Sequence, residues 1–237
     1  MRKVFWVLAV VALLLGGVYF YYMNKVTNRL DQMAAMAGPL VDLEYESVSL
    51  GLGGELRING LHLRSPNMPF ALNARQLALQ AGNLYALWSL RRRLEGGEMP
   101  RSLGLALRGA EVPMNAMSAQ GGSVGTGLMF DAAGCGERDE FDTVDLRAMG
   151  FGDFLVDSEL EFEMGEYAQT LELRAQTHVH GLTQISVNAG IEMGNTVDNL
   201  ANAAQGFSRA RLGSVNFEYI DRGYYRRMLE YCSNETD

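Results

Sequence analysis

Along most of the chain apolar and polar residues alternate one for one, the period of a strand with one face against apolar surroundings and one in water. Val41, Leu43 and Tyr45 alternate with Asp42, Glu44 and Glu46. Leu56 and Ile58 alternate with Glu55, Arg57 and Asn59, then Leu61 and Leu63 with His62 and Arg64. Residues 71–81 continue the rhythm and Leu103, Leu105 and Leu107 resume it, with Gly51, Gly53, Gly54 and Gly60 at the expected bends. The clearest run comes later. Leu160, Phe162 and Met164 face Glu159, Glu161 and Glu163; after Gly165, Leu171, Leu173 and Ala175 oppose Glu172, Arg174 and Gln176. After Gly181, Ile185, Val187 and Ile191 oppose Gln184, Ser186 and Glu192. This predicts an antiparallel meander with one apolar and one wet face, and Val215, Phe217 and Tyr219 mark a last strand.

Helical spacing interrupts the strands. Val26, Leu30 and Met33 predict an amphipathic neck that Pro39 ends. Asn83 to Leu94 starts at an Asn cap and places Leu84, Leu87, Trp88 and Arg91 on one side. Val197, Leu200, Ala201 and Ala204 predict a short helix, and Tyr224 to Cys232 a terminal one. Before them all, Val4 to Met23 is uncharged, and about twenty residues at ~1.5 Å each span the ~30 Å hydrocarbon core. Trp6 near one end and Tyr19 to Tyr22 near the other sit where amphipathic rings meet headgroups.

The expected fold class is therefore mainly β: an N-terminal transmembrane helix, then a curved antiparallel sheet or sandwich with two or three short helices. Residues 1–24 form the anchor, 25–40 the neck, 41–114 a first β region with one helix, 115–152 an irregular acidic and glycine-rich segment, and 153–237 the meander and C-terminal helix. Arg2 and Lys3 before the span nearly balance Lys25 and Arg29 after it, and the free amino terminus tips the expectation to a cytoplasmic N-terminus and single-pass insertion; in a bacterial host the membrane is the inner membrane and the body is periplasmic. Whether the apolar strand faces close on each other or line a groove is open at this stage.

Charge narrows the functions. With 28 acidic against 20 basic residues the chain carries −8, and its first 30 residues hold four of the basic ones. Such an acidic body repels phosphate backbones, so no nucleic-acid partner is expected. The expected partner of the apolar run is membrane lipid. Two cysteines make no disulfide framework, but an oxidising compartment permits Cys135 and Cys232 to pair across about 97 residues.

Catalytic chemistry finds little footing. Gln120 to Gly127 has the glycines of a phosphate loop without its Lys-Ser/Thr step, and reads as a linker. His178 and His180 project to one face of a strand and can hold two positions of a metal site, with a third ligand from Glu159, Glu161 or Glu163. A solvated strand face is the stronger reading, so neither metal nor cofactor is expected. The run Glu137, Asp139, Glu140, Asp142, Asp145 lacks the spacing of a calcium loop. No catalytic residue is assigned and no enzyme is expected. Arg91, Arg92 and Arg93 beside Trp88 are candidates for an interface with anionic headgroups or an acidic partner, or simply complement a helix dipole.

The anchor, then LEYESVSLGLGGELRINGLHLRSP, then ALNARQLALQAGNLYALWSLRRRL and LGLALRGAEV, resembles the N-terminal part of AsmA-like proteins of the Gram-negative envelope. The closing SVNFEYIDRGYYRRMLEYC is similar to a strand, Asp, helix unit of some of their relatives, while residues 115–152 depart from the pattern. The resemblance implies a groove-like periplasmic β structure that contacts acyl chains in lipid transport or envelope assembly. The N subunit of type II secretion has a similar architecture and implies a scaffold role instead, with envelope or secretion proteins as partners. The residues expected to face lipid are Leu160, Phe162, Leu171, Leu173, Ile185, Val187 and Ile191.

Overall fold

The computed structural model describes residues 24–28, 31–32, 42–51, 53–65, 71–114, 135, 141–165, 169–197 and 199–235. The apolar run 4–23 and the glycine-rich stretch 120–127 lie outside them, as do Glu137, Asp139 and Glu140. Among the described residues no helix is long and apolar enough to cross a membrane.

The body is mainly β. Strands β1 (Asp42–Glu44), β2 (Ser47–Gly51), β3 (Glu55–Arg64), β4 (Leu72–Gln80), β5 (Ser102–Val112), β6 (Phe154–Met164), β7 (Thr170–Val179), β8 (Thr183–Glu192) and β9 (Arg211–Asp221) join one sheet. Every pairing is antiparallel, and from β3 to β9 each strand pairs with the next in sequence. Both β1 and β2 pair with β3. All nine strands belong to this sheet, so the sandwich alternative is not what the described strands form. The alternation explains the result: it gives every strand one wet face, and antiparallel neighbours can satisfy both backbone edges through short connections.

Among the described residues, 24–28 and 31–32, in the expected neck, are helical, and four further helices accompany the sheet: α1 (Leu84–Glu95), α2 (Thr143–Ala148), α3 (Leu200–Ser208) and α4 (Tyr224–Glu235). Asn83 caps α1, its side chain accepting from the Ala86 N–H at 2.8 Å. Helix α2 falls in the segment expected to be irregular. Its cause is a reciprocal cap: Asp142 accepts from the Val144 and Asp145 N–H groups, and Asp145 accepts from the Asp142 N–H. Two members of the acidic run thus serve as helix caps, and Tyr231 donates to Asp145 at 2.7 Å. At the start of α4, the Asp221 carboxylate accepts from the Gly223 and Tyr225 N–H groups.

Two clusters cover the ends of the apolar sheet face. At one end Phe154 and Val179 pack with Leu146 of α2, Tyr224 and Met228 of α4, and Phe141, Phe151 and Leu182 of the connections. The Cys135–Cys232 disulfide, Cα to Cα 5.2 Å, lies in this cluster. At the other end Met164, Leu171, Met193 and Val197 pack together.

Gly60 lies within β3, not between two strands. Its backbone is left-handed at φ +61, as is that of Gly109 in β5. The three-residue steps Ile58 to Leu61, Leu77 to Ala74 and Leu107 to Ala110 cross the sheet at one level, and all six side chains join one apolar cluster. Strand β6 keeps its two-residue step, so β5 bulges against it.

Candidate functional site

The strand register collects the apolar residues into lateral rows. One row passes from Leu50 through Leu56, Leu79, Leu105, Leu160, Ala175 and Val187 to Phe217, one residue from each of eight strands. At the usual spacing of ~4.8 Å between strands such a row is roughly 33 Å long. Among the described residues no end cluster covers its middle, where Leu105 and Leu160 are each 46% exposed, and Phe217 at its β9 end is 57% exposed. The reverse face carries Glu161, Arg174 and Asn188 at the neighbouring positions.

The seven residues expected to face lipid share this apolar face. Their surroundings differ. Leu171 is buried in the end cluster, with Phe162 and Ile191 packed against it, whereas Leu160 lies open and Leu173, Ile185 and Val187 are half-buried. Sequence reasoning confined the lining to the meander; β3, β4 and β5 extend it through Leu56, Leu79 and Leu105. Their alternation was visible, but joining them to the later strands required the β5–β6 pairing across a long and aperiodic connection.

Helix α1 turns Leu90 inward, and Leu87 is half-buried. Trp88, expected on the same side as Leu87, is instead 58% exposed, in line with the exposed Tyr85 and Arg92. The side chain of Arg91 lies outside the described residues, and Arg93 is half-buried. The outer stripe of α1 therefore joins two amphipathic rings to a cation.

The polar face holds the ionisable groups. Asn59 accepts from Gln76, whose own oxygen accepts from Arg108, a ladder across three strands. Arg57 donates to Glu55 in an ion pair; this hydrogen bond holds the Glu55 carboxyl below the ordinary range against the opposing effect of burial. Tyr45 donates to Asp31 at 2.5 Å. Burial, that bond and the Asp31 charge push its phenol up to about 12.

One constellation differs from its sequence reading. His178 and His180 do share a side, but the carboxylate that meets them is Asp157, not Glu159, Glu161 or Glu163. The register decides this: Asp157 is opposite His178, whereas Glu159 faces Gln176, Glu161 faces Arg174 and Glu163 faces Glu172. Asp157 Oδ2 lies 2.7 Å from His180 Nε2, and its Oδ1 accepts from the bulged Gly109 N–H at 2.6 Å. Burial opposes the Asp157 charge, but the Gly109 and His180 hydrogen bonds and the histidine charges outweigh it and lower the carboxyl's pKa. Counting outward from Gly165 opposite Thr170 leads to Asp157 opposite His178, but the sequence marks only the glycine of that turn.

The stretch Gly121-Gly122-Ser123-Val124-Gly125, whose glycines have the spacing of a serine nucleophile elbow, is outside the described residues. Comparison with protein-family models, with characterised proteins and with solved structures finds no match to this chain.

Proposed function

We propose that the chain is a non-enzymatic protein of the inner membrane, anchored by residues 4–23, whose periplasmic sheet contacts lipid acyl chains in envelope lipid transport or assembly. The observation that carries this reading is the eight-strand apolar row, whose middle stays open among the described residues while both ends of the face are packed. A chain of methylenes needs a long, dry, unpatterned surface and gains about 25 cal/mol for each Å² buried. The disulfide suits an oxidising compartment, and the exposed Trp88 and Arg92 suit a headgroup layer beside such a surface.

The test is native mass spectrometry of residues from about 30 onward, expressed to the periplasm and purified without detergent, with lipid extraction alongside. The expected result is phospholipid at near one per chain, lost in Leu160→Glu and Leu173→Glu variants that keep the wild-type circular dichroism. A lipid-free, monodisperse protein overturns it.

A scaffold subunit of a membrane or secretion assembly is the second reading. Strand β9, at an edge of the sheet among the described residues, favours it: eleven residues long, it is exposed from Arg211 to Glu218. An edge of this length is a template for adding a strand from a partner. Crosslinking that captures one abundant protein and no lipid would select this reading.

A further inference from the structure

We propose that Asp157, His178 and His180 bind one divalent transition-metal ion of the zinc class. The inference does not depend on the lipid reading, because the three side chains lie on the polar face of the sheet.

The backbone brings the ligands together. His178 is in β7 and His180 follows its end, two residues on, so both imidazoles project to one side. Their ring centroids are 4.3 Å apart with the planes inclined by 31°. Asp157 stands opposite His178 on β6. One donor atom from each residue fits within 4.8 Å of the others. Donors bound at ~2.1 Å to one tetrahedral ion lie ~3.4 Å apart, so side-chain rotations of about an ångström complete the set.

Supporting contacts already fix the carboxylate. The Gly109 N–H holds Asp157 Oδ1 and leaves Oδ2 on the histidine side, the kind of outer contact that orients a metal ligand. The His180 N–H donates to the Leu155 carbonyl at 2.9 Å, which pins the backbone of that ligand. With side chains 43% and 37% exposed, His180 and Asp157 leave an entry path and room for water to complete the shell.

Chemistry selects the ion. Two imidazoles and one carboxylate suit zinc, copper or nickel and disfavour calcium and magnesium, which require oxygen donors. Both cysteines are in the disulfide and cannot compete. His62, the third histidine of the chain, is bonded to Asn73 on other strands.

The experiment uses the full chain in detergent, stripped with chelator and dialysed against zinc, with metal content measured by mass spectrometry. Cobalt(II) titration, followed by its visible absorption, reports the ligand field. The expected result is one zinc per chain and a saturable cobalt spectrum. Binding should fall at least about tenfold in His178→Ala/His180→Ala and in Asp157→Asn, which keeps an oxygen for Gly109, and remain in His62→Ala. Circular dichroism of the metal-free variants checks their folding. Absence of saturable binding in the wild type, or equal binding by the folded double variant, overturns the proposal.

Discussion

Gly109 does two jobs at one residue. Its left-handed φ of +61 forms the β5 bulge, and its N–H meets the Asp157 carboxylate. A Cβ added there would lie 2.9 Å from the Cβ of Arg75, in backbone that L side chains rarely adopt. Gly109→Ala is therefore expected to cost about 1–3 kcal/mol, measured by urea denaturation. Glu55 gives a prediction in pH. Its folded-state pKa lies below the ordinary 4.5, so its contribution to stability is full above that pH and is lost as pH falls through the lowered value. Denaturation midpoints from pH 6 downward (roughly the carboxylate range) should fall less steeply in Glu55→Gln than in the wild type. The three-residue step from Ile58 to Leu61 was legible in the sequence, yet a step of three does not by itself distinguish a bulge from a bend between strands, and the step from Leu107 to Ala110 shows only in the strand pairing. Gly60 read as a bend because its strand partners were unknown; with Arg75 and Gly109 at the same level, the break is a kink carried through three paired strands.

Elements differed in how plainly they announced themselves. The β6–β7–β8 meander follows from alternation and two glycine turns, since a shift of one residue would exchange its wet and dry faces. Helix α1 was legible from its Asn83 cap, but its rotation was not. Leu84, Leu87 and Trp88 are equally apolar candidates, and only packing chose Leu90 as the buried one. Helix α2 was missed because six residues are too short for an amphipathic period; the Asp142 and Asp145 cap was its one local sign. The outward stripe of α1 carries a prediction. In the body from about residue 30 onward Trp88 is the single tryptophan. Anionic phospholipid vesicles should shift its emission to shorter wavelength, and added salt should weaken the shift by screening the arginines. An unchanged spectrum would remove α1 from any membrane contact.

For the whole molecule, the disulfide and the packing at one sheet end act together. Phe141 stacks edge-on with Tyr231 at 6.0 Å, and Arg227 sits 4.6 Å from the centroid of Phe151 while donating to Gly150. These contacts fasten α4 to the segments flanking α2 independently of the sulfur bond. Cys232→Ser should therefore leave a folded protein with a lower melting temperature; the chain-entropy account of a loop near 100 residues sets an upper limit of about 4.7 kcal/mol on the loss. Thermal denaturation of the variant beside the wild type reads the difference. The sequence permitted this bond without requiring it, because two cysteines 97 residues apart carry no sign of proximity until the strands between them are paired in order.

That ordering has a consequence for what a protease can release. Strands β6 to β9 and α3 all lie between Cys135 and Cys232. A single cut anywhere in that interval yields two polypeptides that stay covalently joined, and they part on a denaturing gel only when reductant is added. Separating strands β6 to β9 from the N-terminal residues then requires a cut before residue 135; a nick between Cys135 and Cys232 leaves both pieces attached to the N-terminal end.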